Sequence, residues 1–182
     1  MATIPPAEVY LETERLILRR FTEDDAEELI ALNADPEVMR YLGPVKPPEE
    51  TTGSILPRFL SYYDKGDDYG FWIAVEKATG EWLGWFHLRP EREPPFEMEV
   101  GYRLKRSAWG NGFATEGTRA LIAKAFDELH VDRVVAIADE PNIASRRVME
   151  KSGMRLVRRY VGHDPDTGDT WDAVRYQIDR PT

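Results

Sequence analysis

One stretch limits what this chain can fold into. Residues 96–105, FEMEVGYRLK, alternate as a strand, residues 106–117 read RSAWGNGFATEG, and helical spacing then carries Leu121, Ala125 and Leu129, with Ile122 and Phe126 beside them. A strand is thus handed to a helix of about 112–129 through a glycine pair. Without a Cβ, Gly110 and Gly112 let the backbone pass close to whatever lies at the helix mouth. That mouth holds uncommitted N–H groups and the positive end of the helix dipole, which together favour an anion. A Walker loop is excluded because GxxxxGK[ST] is absent. A dinucleotide fingerprint wants Gly or Ala where Thr115 stands, and an acidic residue closing the next strand, whereas Asp132 opens it. A plain tight turn and an acyl-CoA pyrophosphate site remain.

The rest of the chain predicts one mixed α/β domain over 1–182. Residues 9–21 alternate as a first strand. Thr22 caps a helix with acidic residues in its first turn, and Pro36 lies beyond its end. GPVKPPEE (43–50) predicts a rigid exposed loop, and 51–65 a helix against the resistance of Pro57. Strands at 69–77 and 81–89 flank ATG as a hairpin, and REPP (92–95) breaks the chain. Gly101, inside the third strand, marks a bulge or a close approach. Residues 132–139 read as a buried strand, and 141–154 as a helix with Asn142 at its start and Gly153 at C′. Two late strands, 154–161 and 170–179, flank GHDPDTGD. DPDTGD resembles a calcium loop, but Gly168 is misplaced and Arg175 stands where Glu is needed, so no metal site is expected.

Composition excludes further chemistry. The 182 residues contain no cysteine, which removes disulfides, thiolate metal sites and a cysteine nucleophile. No apolar run approaches the roughly 18–20 residues of a membrane span, and the first residues lack a signal peptide's basic and apolar regions, which makes the cytoplasm the expected location. The formal charge of −9 argues against non-specific nucleic-acid binding and suits a cationic partner, although it also serves solubility.

The run EVGYRLKRSAWGNGFATEG resembles motif A of the GNAT superfamily of acetyl-CoA-dependent N-acetyltransferases, in its ribosomal-protein N-terminal acetyltransferase (RimJ/RimL-like) branch. LETERLILRRFTEDDAEEL, LGWFHL and NIASRRVMEKSGM match the same branch in the same order. Two places depart from the superfamily. Trp109 stands where Gln or Arg usually opens the loop, as aromatics often do in this branch. Met149 stands where many members carry a tyrosine acid.

The resemblance implies a GNAT fold: a central, mostly antiparallel sheet of six to seven strands with a splayed parallel pair, 97–104 and 133–138, and flanking helices. It implies acetyl-CoA as co-substrate and no metal. Trp109, Gly110, Asn111, Gly112, Phe113, Ala114 and Thr115 would hold the pyrophosphate. Backbone near Tyr102 and Leu104 would hold the pantetheine arm. Lys105, Arg106 and Lys151 are candidate phosphate contacts or ordinary surface cations. Glu99 is the candidate base, and Glu97 shares its face by alternation; two close carboxylates would raise one pKa. His87 and His163 are alternative bases, and Trp72, Trp82, Trp85 and His87 crowd a hairpin that packs one face and lines an acceptor pocket with the other. Asn142 would cap its helix or bond pantetheine, and Ser145 would bond or protonate the CoA thiolate. Without cysteine, transfer to a primary amine (a protein N-terminus or a small molecule) is expected to be direct, in a ternary complex. The alternative is a non-catalytic acyl-CoA sensor on the same fold. The loops at 40–55 and 160–171 would shape the acceptor site, and the chain would act as a monomer or a homodimer.

Overall fold

Strands in the middle of the chain are buried on both faces and build one sheet with a core on each side. The computed structural model describes residues 9–92, 97–163 and 168–181. Its strands are β1 (Val9–Glu12), β2 (Leu16–Arg20), β3 (Gly70–Glu76), β4 (Trp82–Arg92), β5 (Glu97–Leu104), β6 (Arg133–Asp139), β7 (Arg155–His163) and β8 (Thr170–Asp179). They form one eight-stranded sheet in the order β1-β2-β3-β4-β5-β6-β8-β7. Only β5 and β6 run parallel; the other neighbours are antiparallel.

The expected count of six to seven strands is exceeded because residues 9–21 are two strands. A tight turn at 13–15 separates them, and the Thr13 hydroxyl accepts from the Leu16 amide at 2.8 Å. Such a turn needs neither Gly nor Pro, so the alternation alone conceals it. The break at 92–95 and the DPDTGD turn fall largely outside the described residues.

The helices are α1 (Ala26–Ala34), α2 (Pro36–Met39), α3 (Pro48–Glu50), α4 (Leu56–Leu60), α5 (Phe113–Asp127) and α6 (Ile143–Lys151). The helix expected over 51–65 is interrupted. A wide π-type turn, Thr51–Ile55, leads into α4, with the Leu56 amide donating to the Thr51 carbonyl. Pro57 has no N–H and its ring would crowd the preceding turn, so the backbone widens where the proline enters.

Two apolar cores sandwich the sheet. Leu83, Phe86 and Leu88 of β4 join Met98, Val100 and Leu104 of β5 beneath Phe113, Leu121 and Ile122 of α5 and Met149 of α6. On the other face Trp82 and Trp85 join Phe71, Ile73 and Val75 beneath Leu29 and Leu32 of α1 and Leu56 and Phe59 of α4. Leu83 and Phe86 share a face although three residues apart, because the β3–β4 register shifts there. Gly84 permits that shift: its φ is +135°, and a Cβ would stand 2.1 Å from the Arg103 carbonyl.

The parallel pair is short. Glu97, Met98 and Glu99 pair with Arg133, Val134 and Val135, and the ladder stops. Yet β5 stays with β4 as far as Leu104, and β6 stays with β8 as far as Asp139. Past Glu99 and Val135 the strands part, which is the splay that the resemblance implied.

Helix α5 lies tightly on β4. A Cβ at Gly117 would stand 2.3 Å from the Phe86 ring. Gly117→Val is expected to lower stability by about 1–3 kcal/mol through overpacking, read as a lower urea midpoint; an unchanged midpoint would mean that the helix does not pack this closely.

Candidate active site

The loop at the mouth of α5 has the form the sequence predicted. Gly110 and Gly112 adopt φ of +76° and +83°, and Gly112 is the helix N-cap. No side chain caps the helix. Among the described residues, the amides of 110–115 find no protein acceptor, and the first helical backbone bond runs from the Glu116 amide to the Gly112 carbonyl. Several N–H groups therefore converge at the positive end of a 15-residue helix. Trp109 is 49% exposed. Its indole N–H donates to the Leu104 carbonyl at 2.9 Å and ties the loop to the end of β5. That carbonyl thus has one of its two acceptor positions filled from within the protein.

Sequence reasoning missed what holds this loop. Arg15, in the turn between β1 and β2, donates to the Asn111 carbonyl at 2.9 Å and to Glu116 Oε2 at 2.7 Å. Its guanidinium lies 4.5 Å from the Phe113 ring centroid. Glu116 also accepts from the Thr13 hydroxyl at 2.6 Å and the Arg15 amide at 2.9 Å. Burial acts to raise Glu116, but these hydrogen bonds outweigh it and hold the carboxyl below its usual range. These contacts bridge some hundred residues of chain, so no spacing announces them.

Lys105 and Arg106 do not turn toward the loop. Lys105 pairs with Glu28 and Arg106 with Asp35, each at 2.8 Å. Lys151 is exposed in the last turn of α6, and its carbonyl accepts from Arg119, nearly two turns into α5. His163 is exposed at the end of β7.

The α1/α4 face of the splay carries the carboxylates. Glu97 is clamped by Arg133 at 2.9 Å and Arg175 at 2.5 Å. Glu99 pairs with Arg89 at 2.5 Å and lies 3.7 Å from His87 Nε2, beyond hydrogen-bond length. The expectation that two neighbouring carboxylates raise one pKa is overturned, because cations stand beside both. Burial works to raise Glu99, but His87, Arg89 and Arg175 outweigh it and keep the carboxylate below its usual range.

His87, one of the two alternative bases, lies beside Glu99. It sits opposite Gly101 in the β4–β5 ladder, two residues past the last β5–β6 pair. Its ring lies over that glycine, where a Cβ would stand 2.6 Å from Cε1. Gly101 therefore marks a close approach and not a bulge. The ring packs against Phe71 and Trp85, and neither nitrogen has a hydrogen-bond partner. Burial pulls His87 below its usual pKa against the pull of Glu99, so it is neutral at pH 7 with a free lone pair. Trp82 and Trp85 share this face, whereas Trp72 packs in the opposite core.

Across the sheet, the Asn142 side-chain oxygen Oδ1 accepts from the Ser145 amide at 3.1 Å and caps α6. Gly153 follows the helix with φ +85°, as a C′ residue. The Ser145 hydroxyl lies beside the Tyr102 phenol. Burial raises the Tyr102 pKa and the nearby Ser145 opposes the rise, so the phenol keeps its proton. Met149 is buried in the core. Alternation places Tyr102 with Met98, Val100 and Leu104, which was the available signal for its side chain.

The splayed sheet and the glycine loop define the architecture of an acetyl-CoA-dependent acyltransferase. The chain belongs to the GNAT acetyltransferase family, whose domain matches residues 15–155. YkkB of Bacillus subtilis strain 168, an uncharacterised protein, is 37% identical over 150 residues, covering 81% of this chain and 86% of the relative. The FsC-acetyl coenzyme A-N(2)-transacetylase of Aspergillus fumigatus is 30% identical over 184 residues, covering 96% and 77%. The fold superposes on RimL, a ribosomal L7/L12 α-N-protein acetyltransferase solved with coenzyme A, with TM-score 0.77 at 19% identity over 95% of this chain and 98% of that one.

A neutral buried His87 has a consequence for stability. Its folded pKa is depressed, so below the ordinary value near 6.5 the unfolded state binds more protons and stability falls with falling pH. Urea midpoints between pH 7.5 and 5.5 are expected to drop in the wild type and to drop less in His87→Phe; equal slopes would mean that the ring is not held neutral.

Proposed function

We propose that the protein transfers the acetyl group of acetyl-CoA directly to a primary amine in a ternary complex. The observation that carries this reading is the alignment of three elements along β5: the loop amides at its far end, the unpaired stretch from Val100 to Leu104, and the Glu99–His87 pair where the strands part. In this reading the amides of 110–115 hold the pyrophosphate, with Arg15 fixing the loop, and the free β5 edge near Tyr102 holds the pantetheine arm.

The amine must lose a proton to attack the thioester carbon. His87, neutral and unpartnered, takes that proton, and the ionised Glu99 carboxylate stabilises the imidazolium. A depressed Glu99 pKa makes that residue a weak base by itself, which favours the shared role. The C–S bond breaks as the amide forms, and the sulfur leaves as a thiolate. Tyr102 and Ser145 lie on the opposite sheet face, where the phenol can return a proton through the serine hydroxyl. Proton removal and proton return are thus on opposite faces. Buried Met149 takes no part. The relatives' names fix neither the amine nor its size. A location in the cytoplasm and function as a monomer or homodimer are compatible with this reading.

The test is acetyl-CoA-dependent release of free thiol across a panel of primary amines, after calorimetry establishes that acetyl-CoA binds. Glu99→Gln is expected to lower kcat at least about tenfold, with donor affinity unchanged, because the loss falls on proton transfer. Tight acetyl-CoA binding without turnover on any amine would instead indicate a sensor.

A further inference from the structure

We propose that Arg58 and Arg103 form an anion subsite on the α1/α4 face, and that the acetylated amine carries a carboxylate close to it. The proposal rests on the acceptor approaching from this face, as the function above requires.

The cations around the splay divide into two groups. Arg89, Arg133, Arg175, Lys105 and Arg106 each pair with a carboxylate. Arg58 and Arg103 have no such pair among the described residues. Arg103 lies on β5, two residues past Gly101, with its guanidinium 5.2 Å from the Trp85 ring centroid. One arm donates to the Asn33 side-chain carbonyl, a neutral acceptor, while the Asn33 side-chain NH2 donates to the Thr51 hydroxyl at 3.2 Å. Its Nε has no partner. Arg58, on α4, spans the faces of Phe59 and Phe71 at 5.5 and 5.7 Å. Phe59 and Phe71 both pack edge-on against Trp85, so the two guanidiniums flank one aromatic cluster; burial first, and then Arg58, pull Arg103 down to about 10.

A largely buried guanidinium with an orphaned N–H and no carboxylate partner is costly, and a second cation nearby adds to the cost. Aromatic faces offset part of that cost, but they accept no conventional hydrogen bond from the orphaned N–H. The same face holds further donors without acceptors, the indole N–H groups of Trp82 and Trp85. A carboxylate is acceptor-only and answers such a set. The formal charge of −9 suggested a cationic acceptor, whereas Arg58 and Arg103 are cations without a carboxylate partner among the described residues.

Spacing connects the subsite to the reaction. Gly101 lies opposite His87 and Arg103 opposite Trp85 in one regular ladder. Their backbones are two residues apart, about 7 Å. An amine delivered to His87 therefore sets its neighbouring atoms within reach of the Arg103 and Arg58 side chains, which suits a small amino acid.

The test is calorimetry on the CoA-saturated protein with matched product analogues: N-acetylglycine and N-acetyl-β-alanine, each against its carboxamide. At least one acid is expected to bind tenfold or more tightly than its amide. In Arg58→Gln, where an exposed residue is changed, that preference is expected to fall at least fivefold. Arg103→Lys keeps a charge but loses the planar fork, and should also reduce the preference, with circular dichroism confirming the fold. Equal binding of acids and amides, no binding of either acid, or a preference unchanged in both variants would overturn the proposal. Binding does not require turnover. A persistent acid preference without thiol release on any amine would refute the transfer reading and leave the subsite standing.

Discussion

The structure depends on the parting of two parallel strands. β5 and β6 share only three residue pairs, and each then keeps its outer neighbour while losing the inner one. A buried strand edge with free N–H and C=O groups is costly unless something pairs with it. The Leu104 carbonyl is satisfied by Trp109, and the stretch before it faces the gap. An extended ligand arm carrying amide groups suits that edge. Everything else is arranged along it: the glycine loop at the far end, Glu99 and His87 where the gap begins, and Tyr102 with Ser145 across from them.

The sheet also separates the chemistry. Strand alternation sends Glu97, Glu99 and Arg103 to one face and Met98, Val100, Tyr102 and Leu104 to the other. The first face is crowded with ionised groups, most of them paired, and with buried donors. The second is a mainly apolar core in which Tyr102 and Tyr176 supply hydroxyls. In the proposed reaction, a thioester placed in the gap would border both environments.

Much of the fold was legible because local rules agree with one another. The Asn142 cap, the Gly153 terminus, the β3–β4 hairpin and the Gly110–Gly112 loop each require particular residues at particular places, and those residues are visible. What stayed hidden depends on distant pairing. The Thr13 turn uses an unremarkable side chain, and Arg15 reaches a loop roughly a hundred residues away. The surroundings of Glu99 stayed hidden because its identity is local, while its pKa is set by burial and by His87, Arg89 and Arg175, which the sheet brings to it. Gly101 was read as either a bulge or a close approach, and only the ladder shows that a histidine ring covers it. The resemblance gave the order of the blocks, but not that Arg58 and Arg103 lack a carboxylate partner among the described residues, which only the folded arrangement reveals.

The central claim is that one continuous path, from the α5 mouth along the free edge of β5, holds acetyl-CoA. Hydrogen exchange with and without saturating acetyl-CoA tests it directly. The account predicts that the amides of 110–115, together with ligand-facing amides of β5 between Val100 and Leu104, slow at least about tenfold on binding. Binding that protects residues elsewhere and leaves the loop amides exchanging at their free rate would contradict it.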